Sequence, residues 1–219
     1  MSTDVLRTNT TASPTRMIAV AGLSLVLAYL IVLGCALFAG EWLIDAQGQP
    51  IASDFVNVWA AGRLTGDGHP ALAYDWTIHK SMEVRAVGHA FANYYGWHYP
   101  PTFLFVASVL ALIPILPATV MWFAITLPAY LVTVRSILGD RASYLLALGF
   151  PATLWNVTAT QNGFLTAALI GGTLTLLERR PVAAGICLGL LSYKPHFGLL
   201  FPIALIAARQ WRVMMIAAA

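Results

Sequence analysis

The feature that most restricts this chain is its series of uncharged apolar runs. Met17–Gly40 carries no charged residue over 24 positions, and Tyr99–Val134 and Ala142–Leu177 carry none over 36 positions each. A helix rises about 1.5 Å per residue, so about 20 residues cross a hydrocarbon core of about 30 Å. Only 10% of the residues are charged and the mean hydropathy is +0.75. A soluble domain carries about 25%. The expected fold class is an all-α polytopic membrane protein. Cys35 and Cys187 both sit in apolar runs, so no disulfide framework follows from them.

The one long polar interval is 40–98. It holds Glu41, Asp45, Asp54, Asp67, Asp75 and Glu83 against Arg63, Lys80 and Arg85, and four of the five histidines. The remaining basic residues stand singly or in pairs at the ends of apolar runs. That is topology information, and it speaks against a nucleic-acid surface. Arg7 and Arg16 precede the first run and acids follow it. Residues 1–16 are therefore expected as a cytoplasmic tail, 17–219 as one membrane domain, and 40–98 as its first outer loop. Within that loop Phe55, Val58, Trp59 and Gly62 recur at helical spacing, Thr65–Pro70 is a turn cluster, and 71–90 is again helix-compatible. Its many Trp and Tyr rings suit the bilayer interface, so juxtamembrane helices on the outer surface are expected.

Pro114 and Pro117 divide the second run into pieces at 101–116 and 118–134. If Arg135/Arg141, Arg179/Arg180 and Arg209/Arg212 are all cytoplasmic, 142–177 and 181–208 are two out-and-back hairpins. Their polar apices, Asn156–Asn162 and Tyr193–His196, then join Asp54 outside, and 99–134 crosses once. The opposite placement of Arg135/Arg141 inverts both apices. Residues 181–193 make about 20 Å of helix, shorter than the hydrocarbon core, which puts Lys194 and His196 at membrane depth, where an ionisable residue is a functional candidate.

Each candidate has a structural reading beside its chemical one. Asp54 is either a general base or the cap of the helix it begins. Arg63 either contacts an anion such as a lipid phosphate or pairs with Asp67 at i, i+4. Lys194 either binds an anion or snorkels. His98, ahead of Tyr99-Pro100-Pro101, is either an acid/base group or an interfacial histidine. Gln161-Asn162-Gly163 either bonds sugar hydroxyls or caps a helix. No HExxH, CxxC, P-loop or GxGxxG stretch is present, so no metal or cofactor is expected. A transporter reading rests only on Lys194 and His196.

Taken together, Asp54-Phe55 … Trp59-Ala60-Ala61-Gly62 … Leu72-Ala73-Tyr74-Asp75, then Tyr99-Pro100-Pro101, Gln161-Asn162-Gly163-Phe164-Leu165-Thr166-Ala167, with Thr160 where glycine is usual, and Arg179-Arg180-Pro181 … Tyr193-Lys194-Pro195-His196 resemble glycosyltransferase family 87 in order and spacing. The resemblance implies a GT-C membrane fold in a bacterial inner membrane. It implies inverting transfer of a hexose, mannose in particular, from a polyprenol-phosphate sugar to a lipid or glycan acceptor on the non-cytoplasmic face. Asp54 matches the catalytic aspartate. Arg63, His98, Tyr99, Gln161, Asn162, Lys194 and His196 are the candidate substrate-binding residues. Family members are longer, so the expectation is an N-terminal half, with a second chain as a possible partner. A catalytically incomplete fragment or a lipid- or partner-binding module is the alternative.

Overall fold

The computed structural model describes residues 14–41, 45, 48, 51 and 53–219, and among these every regular element is helical. The first helix, α1, runs Pro14–Phe38, beginning inside the expected tail. Trp42, one of the expected interface rings, lies outside the described residues. Next come α2 (Ser53–Gly66), a 3₁₀ turn (Pro70–Tyr74) and α3 (Trp76–Val87). The Asp75 side chain accepts a 2.9 Å bond from the Ile78 N–H, which caps α3 and explains why the expected 71–90 helix is split there.

The helix α2 departs from the surface helix expected of it. Phe55, Val56, Asn57, Val58, Ala60, Ala61, Gly62 and Leu64 are all buried, so it forms the centre of the main apolar core. The 3₁₀ turn, α3 and α4 (Phe103–Leu110) pack around it. Its small residues make this possible. A Cβ on Gly62 would lie 2.0 Å from the Ala107 carbonyl oxygen of α4, so the two backbones touch. The spacing of Phe55, Val58, Trp59 and Gly62 marks one face, but Val56, Asn57, Ala60 and Ala61 are covered as well by the elements packed around the helix.

The next helix, α5 (Ile115–Leu138), is long and apolar enough to cross a membrane, with a mean hydropathy of 1.8; the value for α1 is 2.5. α4, at 8 residues, reaches only about 12 Å. The interval therefore contains one helix long enough to cross a membrane and one that is too short. The expected break at Pro117 does not occur. Pro114 stands at the N-cap and Pro117 in the first turn, where a missing N–H costs no intrahelical bond. The outer faces of α1 and α5 are apolar and exposed, including Ile31, Val120 and Val132. In water that would be a liability; in a bilayer it is the expected surface. The protein is a helical membrane protein.

The outgoing limb of the next hairpin is two helices, α6 (Ala142–Gly149) and α7 (Pro151–Thr158). Phe150 is extended because it precedes Pro151. α6 crosses α1 at glycines: a Cβ on Gly149 would stand 2.7 Å from the Gly22 carbonyl oxygen, and the Tyr29 hydroxyl donates to Gly149 O at 2.9 Å. The chain turns at 159–162 and returns as α8 (Gly163–Leu176), which packs on α5. α9 (Pro181–Leu190) follows and leads into a 3₁₀ turn (Leu191–Tyr193). The short α10 (Pro195–Gly198), α11 (Phe201–Ala207) and α12 (Trp211–Ala218) follow, α12 lying back against α9.

Candidate functional site

Asp54 is the second residue of α2. Its backbone N–H donates to the Ala159 carbonyl at 3.2 Å, which fastens the start of the buried helix to the turn between α7 and α8. The helix begins at Ser53, so Asp54 lies in its first turn and not at its cap. Among the described residues its carboxylate accepts no hydrogen bond. Half-burial pushes its pKa up, and the Lys194 ammonium partly opposes this. The two charges, 140 positions apart in sequence, thus share one field.

The turn that receives α2 is unusually well determined. Thr160 has φ +49, the left-handed conformation in which glycine is the easy choice. Asn156, buried, accepts from the Gly163 N–H with its Oδ1 at 2.8 Å, and the Gln161 N–H reaches the Asn156 carbonyl at 2.9 Å. Asn156 therefore takes over the capping of α8, and the Asn162 side chain is released for other work. Its Nδ2 donates to the Tyr99 hydroxyl at 2.7 Å. Its carbonyl accepts from the Tyr193 hydroxyl at 3.2 Å and from Thr166 Oγ1 at 2.9 Å, and the Tyr193 and Thr166 hydroxyls are 2.6 Å apart.

Tyr99 links the outer loop to both apices. Its ring stacks on Tyr193 at 6.1 Å and packs against Phe103 at 4.9 Å, and Lys194 Nζ stands 5.9 Å from the centroids of both tyrosines. The Tyr74 hydroxyl holds the Tyr99 carbonyl at 3.0 Å. Burial, then the Asp54 carboxylate and Tyr193, hold the Tyr99 phenol well above its ordinary pKa, against the lowering effect of the Asn162 bond. Tyr99 is therefore a protonated donor at neutral pH. Since its oxygen already accepts from Asn162, its own proton is available to another partner.

Asp54, Tyr99, Asn162 and Lys194 are thus brought together from three sequence regions. Other candidates are not. Arg63 pairs with Asp67 at 3.5 Å, both well exposed, about 13 Å along α2 from Asp54. His196 is exposed and lies on the Phe197 ring at 4.5 Å. His98 adjoins Tyr99 but faces solvent, and Gln161 sits half-buried in the turn. Tyr193 and Thr166 were not singled out in the sequence, although Tyr193 adjoins Lys194 and Thr166 lies one helical turn beyond Asn162. No cluster of metal-ligating residues occurs among the described residues.

A model of glycosyltransferase family 87 matches residues 97–219. The chain belongs to glycosyltransferase family 87. The matched part of this family 87 member contains Tyr99, Asn162, Tyr193 and Lys194, and Asp54 lies before it. No curated protein and no solved structure matches the chain. Family membership points to a membrane glycosyltransferase, which takes a sugar donor and an acceptor.

Proposed function

We propose that this chain moves a hexose, mannose in the first instance, from a polyprenol-phosphate sugar to a hydroxyl of a lipid or glycan acceptor, with Asp54 as general base. The observation that carries this reading is the meeting of a half-buried, unpartnered carboxylate with Lys194, Tyr99 and Asn162. Asp54 takes the proton of the acceptor hydroxyl. The acceptor oxygen forms the new bond to the anomeric carbon as the bond from that carbon to the phosphate oxygen breaks, with inversion. Polyprenol phosphate leaves with the electron pair. Lys194 and the Tyr99 proton stabilise the charge growing on that phosphate. Asn162 keeps Tyr99 oriented.

Two further features support the donor class. Ser192 and Pro195, flanking Lys194, line an apolar groove of about 400 Å³ between α9, α11 and α12, well suited to an isoprenoid chain whose phosphate lies at the lysine. The bond from Asp54 N–H to Ala159 O supports a common side for Asp54 and the 156–162 apex. With basic residues at the opposite ends of the hairpins, that side is the non-cytoplasmic face of a bacterial plasma membrane, the N-terminus is cytoplasmic, and the fold is of the GT-C type.

The test uses the purified protein in nanodiscs, with a radiolabelled polyprenol-phosphate mannose as donor and a membrane lipid extract as acceptor. Asp54→Asn should lower transfer by about 10²–10⁴-fold with unchanged thermal unfolding. Full transfer by this variant would remove Asp54 from the mechanism. A wild-type chain that binds the donor without turnover would favour a lipid-binding module instead.

A further inference from the structure

A second group of charges lies outside the site. His79 and Glu83, one turn apart on α3, are both fully buried, with His79 Nε2 3.5 Å from Glu83 Oε1. Among the described residues neither His79 nitrogen nor Glu83 Oε1 has a hydrogen-bond partner, so the pair is costly to bury, and apolar residues of similar size would serve stability as well or better. Its presence on the inner face of α3 asks for a reason other than stability, and its neighbours provide one.

Glu83 Oε2 accepts from the Tyr95 backbone N–H at 3.5 Å and lies 3.9 Å from Lys80 Nζ. The Lys80 ammonium donates to the Asn93 carbonyl and stands 3.2 Å above the centre of the Phe91 ring. Tyr94 stacks on Trp76 at 4.6 Å and meets His79 edge-on at 6.2 Å. Residues 91, 93, 94 and 95 are each gripped from α3, while 93–98 has no helix or strand of its own. Four residues beyond Tyr95 the same strand of chain delivers Tyr99 to Asn162.

We propose that Glu83 and Lys80 are positioning residues: they clamp the strap 91–98 onto α3, so that Tyr99 is presented to Asn162 and to the ligands of the site. The inference rests on the transferase reading for its consequence, but the clamp itself is measurable without catalysis. A neutral side chain could fill the same volume. An apolar one would neither accept the Tyr95 N–H nor stand as a polar partner beside the lysine that holds Asn93 and Phe91.

Hydrogen–deuterium exchange of the full chain in nanodiscs reads the clamp directly. Glu83→Ala and Lys80→Met should speed exchange in peptides covering 91–99 by about tenfold or more, leaving α5 and α8 unchanged. Glu83→Gln should recover part of the protection, because its amide oxygen still accepts from Tyr95. Unchanged exchange in 91–99, or equal acceleration through all helices, overturns the clamp. With the polyprenol-phosphate mannose assay, kcat should fall about 10- to 100-fold with little change in donor KM. Tyr99→Phe added to Glu83→Ala should then cost no more than Glu83→Ala alone. Faster exchange with unchanged kcat overturns the positioning role. A wild-type chain without transfer sinks the transferase reading, and exchange alone then decides the clamp.

Discussion

Gly62→Ala is the smallest change that should displace the site without touching it. The added Cβ would meet the Ala107 carbonyl oxygen at 2.0 Å and its carbon at 2.4 Å. Both are backbone atoms in the middle of α4, so no rotamer change relieves the clash. Regaining ordinary contact at 3.4 Å requires a retreat of about 1.4 Å between the helices. Most of α2 is buried, so part of that movement passes along it to Asp54, about 12 Å away. Overpacking of a tight core costs about 1–3 kcal/mol, and a misplacement of about 1 Å at a reacting group can cost about 100-fold in rate. Thermal unfolding in detergent and the mannose-transfer assay should therefore both fall. Unfolding within experimental error of the wild type, together with undiminished transfer, would refute the claim that the contact between α2 and α4 holds Asp54 in place.

Three further outcomes follow from the geometry. Lys194→Met removes the charge that opposes burial at Asp54, so the carboxyl pKa rises further; the acid limb of kcat/KM should move to higher pH, and a move to lower pH would contradict the shared field. Thr160→Gly removes a left-handed strain of about 1–2 kcal/mol at φ +49 against a glycine entropy cost of about 0.5–1 kcal/mol, so chemical denaturation should show a modest net gain in stability. Arg63→Ala breaks only an exposed pair, so unfolding should change by less than about 0.5 kcal/mol and transfer should be unaffected.

How far the sequence leads depends on the kind of signal. Uncharged length announces α1 and α5, and the polar knots at 156–162 and 193–196 mark the turns that carry Asn162 and Lys194. Charge asymmetry groups those turns with Asp54, and the Asp54 N–H bonds the Ala159 carbonyl in the first of them. What is not legible depends on distance or on small residues. The burial of α2 is only partly legible, because Phe55, Val58 and Gly62 mark one face while Val56, Asn57, Ala60 and Ala61 are covered by distant elements. The Tyr193–Thr166–Asn162 junction joins residues that no local pattern pairs. The His79–Glu83 spacing is the one expected of an ordinary solvated helix face, and only tertiary contact shows that the pair is sealed. The break at Phe150–Pro151 is written in the proline, but an uncharged run reads through it.

These hidden contacts also explain where the site should be fragile. Asp54, Tyr99, Asn162 and Lys194 sit on separate elements, and single contacts join them: Asp54 N–H to Ala159 O, Asn162 Nδ2 to Tyr99 hydroxyl, Tyr193 hydroxyl to Asn162 O. Phe103, the first residue of α4, packs beside the stacked Tyr99 and Tyr193, at 4.9 Å and 4.8 Å from their rings. The same short helix that meets Gly62 therefore also supports the aromatic floor beneath Lys194. A shift of α4 moves the base through α2 and the floor through Phe103 together. Charges at the rim, such as Arg63 and His196, have no such path to the centre. Sensitivity to substitution should accordingly follow the line Gly62–Ala107–Phe103–Tyr99–Asn162, and not the distribution of charge on the outer surface.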